Sequence, residues 1–258
     1  MTSHSENHDS HQHPVEVEII IIEFLDLEQH CKTGKPTHHA HKYRIRIDDA
    51  YFETEKHELT GAEILKLADK LPANFTLRQR FHGGKVETVG SEDVVKLHQH
   101  GLERFITIPK ENTEGEGAIQ VADQSGANSS PLRRDVLLGE ADTTYLNANH
   151  PEWETVLDGH IPYVILNNFP VPAGYNHSKI RAAIILTSGY PIAALDMVYF
   201  SPALSRLDGR PIRALADHVI CGQHWQRWSR HYSWRPGFDD ITIHIERIKS
   251  WLDDELCK

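Results

Sequence analysis

Of the three cysteines in the chain, Cys31, Cys221 and Cys257, only Cys221 lies in the irregular segment before the last helix. His218 lies three residues before it and His224 three after, within reach of moving a proton to or from a thiol. A thiolate attacks acyl carbon readily and leaves again readily, which suits a group that accepts an acyl unit and passes it on. Ser229, in WSRH beside Arg230 and His231, is a second candidate. Its weakly acidic hydroxyl would need a general base and would carry the acyl group as an oxyester. Both have plainer readings: cysteine commonly fills a core as a small apolar residue, and Ser229 can satisfy backbone groups while Trp228, Arg230 and Trp234 pack. Asp239 and Asp240 read as helix-start charges, where carboxylates complement the dipole.

Two histidine groups stand apart from these candidates. His4, His8, His11 and His13 lie in one polar stretch, and His38, His39 and His41 in another. A metal site needs fixed ligand geometry. In polar segments these imidazoles read as solvated, and neither a metal nor a cofactor is expected. Gly115 and Gly117 either become exposed by a protease or keep a linker flexible.

The elements that must position these residues fall into two blocks. Residues 1–14 are Ser, His, Asn, Asp and Gln with too little apolar surface to fold, and are expected to be disordered. Val15–Leu27 reads as either strand or helix, and Gln29–His41 as loop, so 1–42 is a tail and connecting segment. From Tyr43 the pattern is regular. YRIRI (43–47) alternates into an Asp48–Asp49 turn and a second strand at Tyr51–Phe52. Thr60 and Glu63 form a capping box for a helix ended by Pro72. Phe75–Phe81 is a strand turning at Gly83–Gly84, Ser91–His100 a short helix, and Arg104–Ile108 a last strand. That order over 43–109 is a β-grasp module.

The polar stretch 110–131 is an expected interdomain linker. Residues 132–258 form the second block. Leu132–Asn149 is predicted helical in its first part. Strands follow at Trp153–Leu157, Tyr163–Phe169, Lys179–Leu186 and Met197–Phe200, an antiparallel meander. A long irregular stretch holding Cys221 precedes a helix opened by Pro236. Phe238, Ile241, Ile245, Ile248 and Leu252 give that helix one apolar face. The fold class is α+β.

The 258 residues carry a formal net charge of -10 and no basic block. Nucleic acid and anionic membranes are therefore poor partners. Sparse, unpaired cysteines fit a reducing compartment. The opening lacks a signal-like apolar stretch, and the longest apolar run, Ile19–Ile22, cannot span a bilayer. The expected location is the cytoplasm.

YRIRIDDAYF (43–52), LTGAEILKLADKLP (59–72) and GLERFITIP (101–109), with EFLDLEQHCKTGKP (23–36) before them, resemble the bacterial multi-ubiquitin family of ubiquitin-like domains. NNFPVPAGYN (167–176), SGYPIAALDMVYFSP (188–202) and WQRWSRHYSWRPGFDDI (225–241) are similar to a prokaryotic branch of the ubiquitin-conjugating enzymes. Tyr190-Pro191 resembles their Tyr-Pro turn, and Ile220-Cys221 with Trp234-x-Pro236 their active-site Ile-Cys and Trp-x-Pro. The Asn that supports the oxyanion in that family has no counterpart in GRPIRALADH (209–218).

The resemblance implies that Cys221 accepts an activated ubiquitin-like acyl group and transfers it to a target amine. The implied partners are a ubiquitin-activating-enzyme-like protein, a ubiquitin-like protein, a target protein and a deubiquitinase-like metalloprotease. Arg133 and Arg134 would help recruit the activating enzyme. Two other readings stand beside this one: an inactive conjugating-enzyme variant that binds or displays a ubiquitin-like protein, and a modifier precursor cleaved in the linker.

Overall fold

The computed structural model describes residues 21–110 and 132–258. The expectations for the tail at 1–14, its histidines, Gly115 and Gly117 fall outside those residues. In the first block, strands β2 (His39–Ile47) and β3 (Ala50–Thr54) form a hairpin through Asp48–Asp49. Asp48 adopts φ 55 there, and its buried carboxylate accepts the Thr107 N–H at 2.8 Å and pairs with Lys70. Strand β4 (Glu58–Thr60) leads into α2 (Gly61–Leu67), whose capping box is present as expected. The Glu63 N–H donates to Thr60 Oγ1 at 3.2 Å, and the Thr60 N–H to Glu63 Oε2 at 2.8 Å.

Strands β5 (Phe75–Phe81), β6 (Val86–Val89), β7 (Val94–Lys96) and β8 (Leu102–Pro109) complete the block. The segment 91–100 holds the short strand β7, paired with β4, instead of the expected helix. Two apolar neighbours, Val94 and Val95, favour an extended edge. The parallel β2–β8 pairing beside the β5–β6 hairpin gives the β-grasp sheet. Leu77, Phe105, Ile45 and Ile64 lie in its core.

The connecting segment needs correction. Strand β1 (Ile21–Asp26) pairs in parallel with β2, and α1 (Leu27–Cys31) follows where a loop is expected. Tyr43 and Arg44 pair with both β1 and β3, so those two strands occupy opposite edges of β2. Ile47 likewise pairs with Ala50 on one side and Phe105 on the other. Strand β1 therefore shares with β8 one edge of β2, each along its own half. Asp26 caps α1 by accepting the Gln29 N–H, and Leu25 and Leu27 are buried.

The second block opens with extended chain, and its helix α3 is Glu140–Asn149, later than expected. Strands β9 (Trp153–Asp158), β10 (Ile161–Pro170), β11 (Lys179–Ile185) and β12 (Val198–Ser201) form the meander. The stretch read as irregular is a hairpin, β13 (Leu215–Ile220) and β14 (Gln223–Trp228), with β14 paired to β12. Helix α4 (Ile241–Leu256) starts five residues after Pro236, capped by Asp240 Oδ1 accepting the Ile243 N–H at 3.1 Å.

The six antiparallel strands run β13-β14-β12-β11-β10-β9. One face packs on α3 and α4 through Leu166, Ile184, Phe200, Trp228 and Ile245. On the other, Val156, Tyr163, Ile165, Ala183, Tyr199, Ile220 and Trp225 form a second buried cluster. Contacts between the two ends of the strand order explain that burial. The Cys221 N–H donates to Asp158 at the end of β9, and the His218 ring reaches Tyr163 on β10. The sheet curls until its end hairpins meet and enclose the cluster.

The two blocks touch. Arg78, Arg80, Arg104, Ile106 and Ile108 share the β-grasp face opposite Phe105, as their cross-strand register requires. Ile106 and Ile108 pack on Ile243 of α4. Arg78 Nε pairs with Glu246 Oε2 at 2.9 Å, both side chains almost fully buried. The β5–β6 turn also sits on α3, where Asn149 Nδ2 donates to the Gly84 carbonyl at 2.8 Å. A Cβ at Gly84, already at φ 88, would lie 2.9 Å from Tyr145 Cα, so only glycine fits.

Candidate functional site

Cys221 and Gly222 are the two-residue turn between β13 and β14, at φ 49 and φ 75. Positive φ at both positions is the mark of the turn whose twist matches a hairpin, normally filled by Asn-Gly. A cysteine in the first position carries a Cβ penalty that Asn tolerates better. The turn exposes the thiol to solvent.

Two acidic and basic groups fix this turn. Asp158, the last residue of β9 before the Gly159–His160 turn, accepts the Cys221 N–H at 2.8 Å through Oδ2. Arg133 Nη1 stands 4.0 Å from Cys221 Sγ. The guanidinium is held by Asp135, which also accepts the Leu157 N–H at 3.0 Å. That backbone bond, then Arg133, lowers the Asp135 pKa, keeping the carboxylate charged. The Arg133 backbone is pinned to β9 by the Thr155 N–H donating to its carbonyl at 3.0 Å. Arg134 lies over the Trp153 ring at 3.8 Å. Both arginines thus sit in extended chain against β9, not on a helix.

The flanking histidines part company. Alternation along the hairpin puts His218 and His224 on opposite faces. His218 points into the enclosed cluster, 3.3 Å from the Tyr163 hydroxyl and 4.6 Å from the Tyr199 ring. Burial, then Arg227, lowers its pKa and favours the neutral ring. His224 points outward and pairs with Asp217 at 3.0 Å. Among the described residues, neither hydrogen-bonds the thiol.

Ser229 lies past the far end of β14, seven residues beyond Gly222, and its N–H donates to the Ala214 carbonyl at 3.0 Å. Its neighbour Arg230 turns inward to Glu255 at 3.0 Å, and His231 pairs with Asp196 at 2.8 Å. The structure does not bring Ser229 together with Cys221. Of the other cysteines, Cys31 is buried, and burial followed by Glu103 pushes its thiol up to about 11. Cys257 caps the end of α4.

The Tyr-Pro and Trp-x-Pro motifs converge elsewhere. Trp234 Nε1 donates to the Pro191 carbonyl at 3.1 Å, and Tyr190 donates to Asp142 Oδ2 at 2.9 Å while accepting the Ile241 N–H at 2.8 Å. Burial pushes Asp142 up to about 6. Of these, Asp142, Tyr190 and Pro191 form one wall of an open cleft of about 910 Å³, with Val136, Leu138 and Ile161 along the rest. Leu137 and Ile192 are 92% and 65% exposed. Cys221 does not line this cleft.

Residues 138–255 match the family model described as Prokaryotic E2 family E, and residues 43–110 the one described as Multiubiquitin. The chain is a multiubiquitin domain fused to a prokaryotic E2-like domain. No curated protein and no solved structure matches it. Cys221, His218, His224 and Ser229 all lie inside the E2-like match. Arg133, Asp135 and β1 with α1 fall outside both matched ranges. Among the described residues, no helix is long and apolar enough to cross a membrane.

The sequence reading left Asp158 unnoticed as a partner of Cys221. The signal available was turn chemistry: Gly159 and Gly222 each sit between strand-like segments, the pattern of two hairpin tips, with Asp158 just before one of them. That the tips meet depends on sheet curl, which local pattern does not carry. Arg133 was read as a partner-recruiting charge, and the structure turns it toward the thiol.

Proposed function

We propose that the chain works in a ubiquitin-like conjugation system, a reading its E2-like and multiubiquitin domains support, and that Cys221 accepts an activated ubiquitin-like acyl group and passes it to a target amine. The carrying observation is an exposed thiol at a hairpin tip with Arg133 Nη1 4.0 Å from its sulfur. In the first step the sulfur attacks the acyl carbon of the incoming thioester. The Cys221 thiol gives its proton to solvent as the new C–S bond forms, the donor's C–S bond breaks, and the donor's thiolate leaves and takes a proton from solvent. In the second step an unprotonated lysine amine attacks the same carbon. A C–N bond forms, the C–S bond breaks, and the amine's proton goes to water. Both steps build negative charge on the carbonyl oxygen. Arg133 complements it in place of the Asn absent from 209–218.

The cleft bearing Leu137 and Ile161 is the surface for the activating-enzyme-like partner, because exposed apolar side chains clustered around a concavity mark interaction sites. The target protein and a deubiquitinase-like metalloprotease are further partners of this reading.

Incubation with the activating enzyme, ATP and a mature ubiquitin-like protein is expected to give an adduct cleaved by thiol reductants. Cys221→Ala should abolish it, and Cys31→Ala, Cys257→Ala and Ser229→Ala should retain it. Arg133→Ala should slow its formation roughly 100-fold. A second reading is favoured by the imidazoles, neither of which reaches the thiol: an inactive variant that binds a ubiquitin-like protein. Absence of any adduct with a competent activating enzyme would select it.

A further inference from the structure

One group of potential ligands lies far from the conjugation chemistry. Cys31, His82 and Glu103 each offer one donor atom, the three lying within 4.8 Å of one another, with the Cys31 thiol donating to the Glu28 carbonyl at 3.1 Å until a cation takes its proton's place. Three separate elements bring them there. Cys31 is the last residue of α1, His82 follows β5, and Glu103 is on β8. The β5–β8 pairing shifts register between Arg80 and Phe81, and the His82 N–H then donates to the Gly101 carbonyl at 2.7 Å. We propose that Cys31, His82 and Glu103 form a binding site for a divalent cation of the zinc class.

The donor set argues for that class. Zinc takes thiolate, imidazole and carboxylate together, at about 2.0–2.3 Å and in tetrahedral geometry. Such bonds put ligand atoms roughly 3.5 Å apart, so the three side chains close by about 1 Å through torsions. The Glu103 carboxylate accepts no hydrogen bond among the described residues. Its nearest charges, Arg104 Nε at 3.8 Å and Arg80 Nε at 3.9 Å, stand beyond hydrogen-bond range. One thiolate and one carboxylate balance a dication, so the occupied site is neutral, at the cost of the attraction Glu103 has for those arginines. The cation also displaces the thiol's proton, as coordination does generally. His82 is exposed, so the ion has an entry path, and a fourth position stays open to water.

The site would clip α1, which lies outside the 43–110 match, to the β-grasp sheet. It is independent of the reading of Cys221, and so is its test. The full chain, stripped with a chelator, is titrated with Co²⁺ and then Zn²⁺. One equivalent of Co²⁺ should raise a sulfur-to-cobalt charge-transfer band in the near ultraviolet, and Zn²⁺ should bleach it. Cys31→Ala should remove the band, and Cys221→Ala and Cys257→Ala should keep it. His82→Ala and Glu103→Gln, both with unchanged circular dichroism, should weaken binding by at least roughly tenfold, since losing even a ligand's outer partners costs about that much. These two decide the matter if Cys31→Ala misfolds. Cobalt bound without a sulfur band, as by the histidine-rich start of the chain, overturns the proposal. So does a band that survives Cys31→Ala, or unchanged affinity in both surface variants.

Discussion

At residue scale, Cys221 sits where the fold would prefer another side chain. A turn with two positive φ values is stabilised by Asn-Gly, so Cys221→Asn is expected to raise stability by about 0.5–1 kcal/mol. The same substitution should abolish the reductant-sensitive adduct. Denaturant midpoints and adduct gels on one preparation check both outcomes, and a destabilised Cys221→Asn would refute the assigned strain. Cys221 stood out in the sequence through its place after Ile220, before Trp234-x-Pro236 and ahead of an amphipathic helix, as in the resembled conjugating enzymes, with His218 and His224 on either side. The roles of those histidines did not, because adjacency in sequence says nothing about facing, and alternation turned them apart.

At the scale of elements, short-range signals carried well and long-range ones did not. The Thr60–Glu63 cap and the Asp48–Asp49 turn are completed within a few residues, and both are present. The β13–β14 hairpin was missed because ADHVI and QHWQRW mix polar and apolar residues on both faces, and Cys-Gly is not a common turn pair. Helix α4 was read with one apolar face, yet His244 and Glu246 are buried beside Ile243 and Ile245. The His244 Nε2–H donates to the Met197 carbonyl at 2.9 Å, which leaves Nδ1 to accept the Tyr232 hydroxyl at 3.1 Å. That pairing needs a neutral ring.

Burial lowers both His244 and His150, at the end of α3, to about 4. The unfolded chain titrates near 6.5, so it takes up protons that the folded chain excludes. Stability is therefore full above about pH 6.5 and falls toward pH 4, by up to roughly 3 kcal/mol per imidazole. Asp142, raised to about 6, works the other way and is outnumbered. The urea midpoint should drop between pH 7 and pH 5. His150→Phe, which preserves the stack on Phe169, should flatten that slope. A slope unchanged by His150→Phe would locate the acid sensitivity elsewhere.

At the scale of the molecule, the β-grasp domain is seated on α4 through Ile106, Ile108 and the Arg78–Glu246 pair. Burial alone would raise the Glu246 pKa, but Lys249 and Arg78 outweigh it, and the carboxylate stays charged. A protease site introduced between residues 110 and 132 and then cut should leave two fragments that co-elute on gel filtration. Ile243→Asp, which places a charge against Ile106 and Ile108, should make them separate. Fragments that part without that substitution would show the interface to be too weak to hold them.

This seating has a consequence for competition. The face carrying Arg78, Arg80 and Ile106 is covered by a helix of the same polypeptide, so its occupancy does not depend on protein concentration. A covalent tether of this kind holds its ligand at an effective millimolar level. A free ubiquitin-like protein with an identical face would have to approach that concentration to take the place on α4, and a recogniser of the tethered face would have to outbid it. The chain thus discriminates by linkage: what it carries on α4 is the copy encoded in its own sequence.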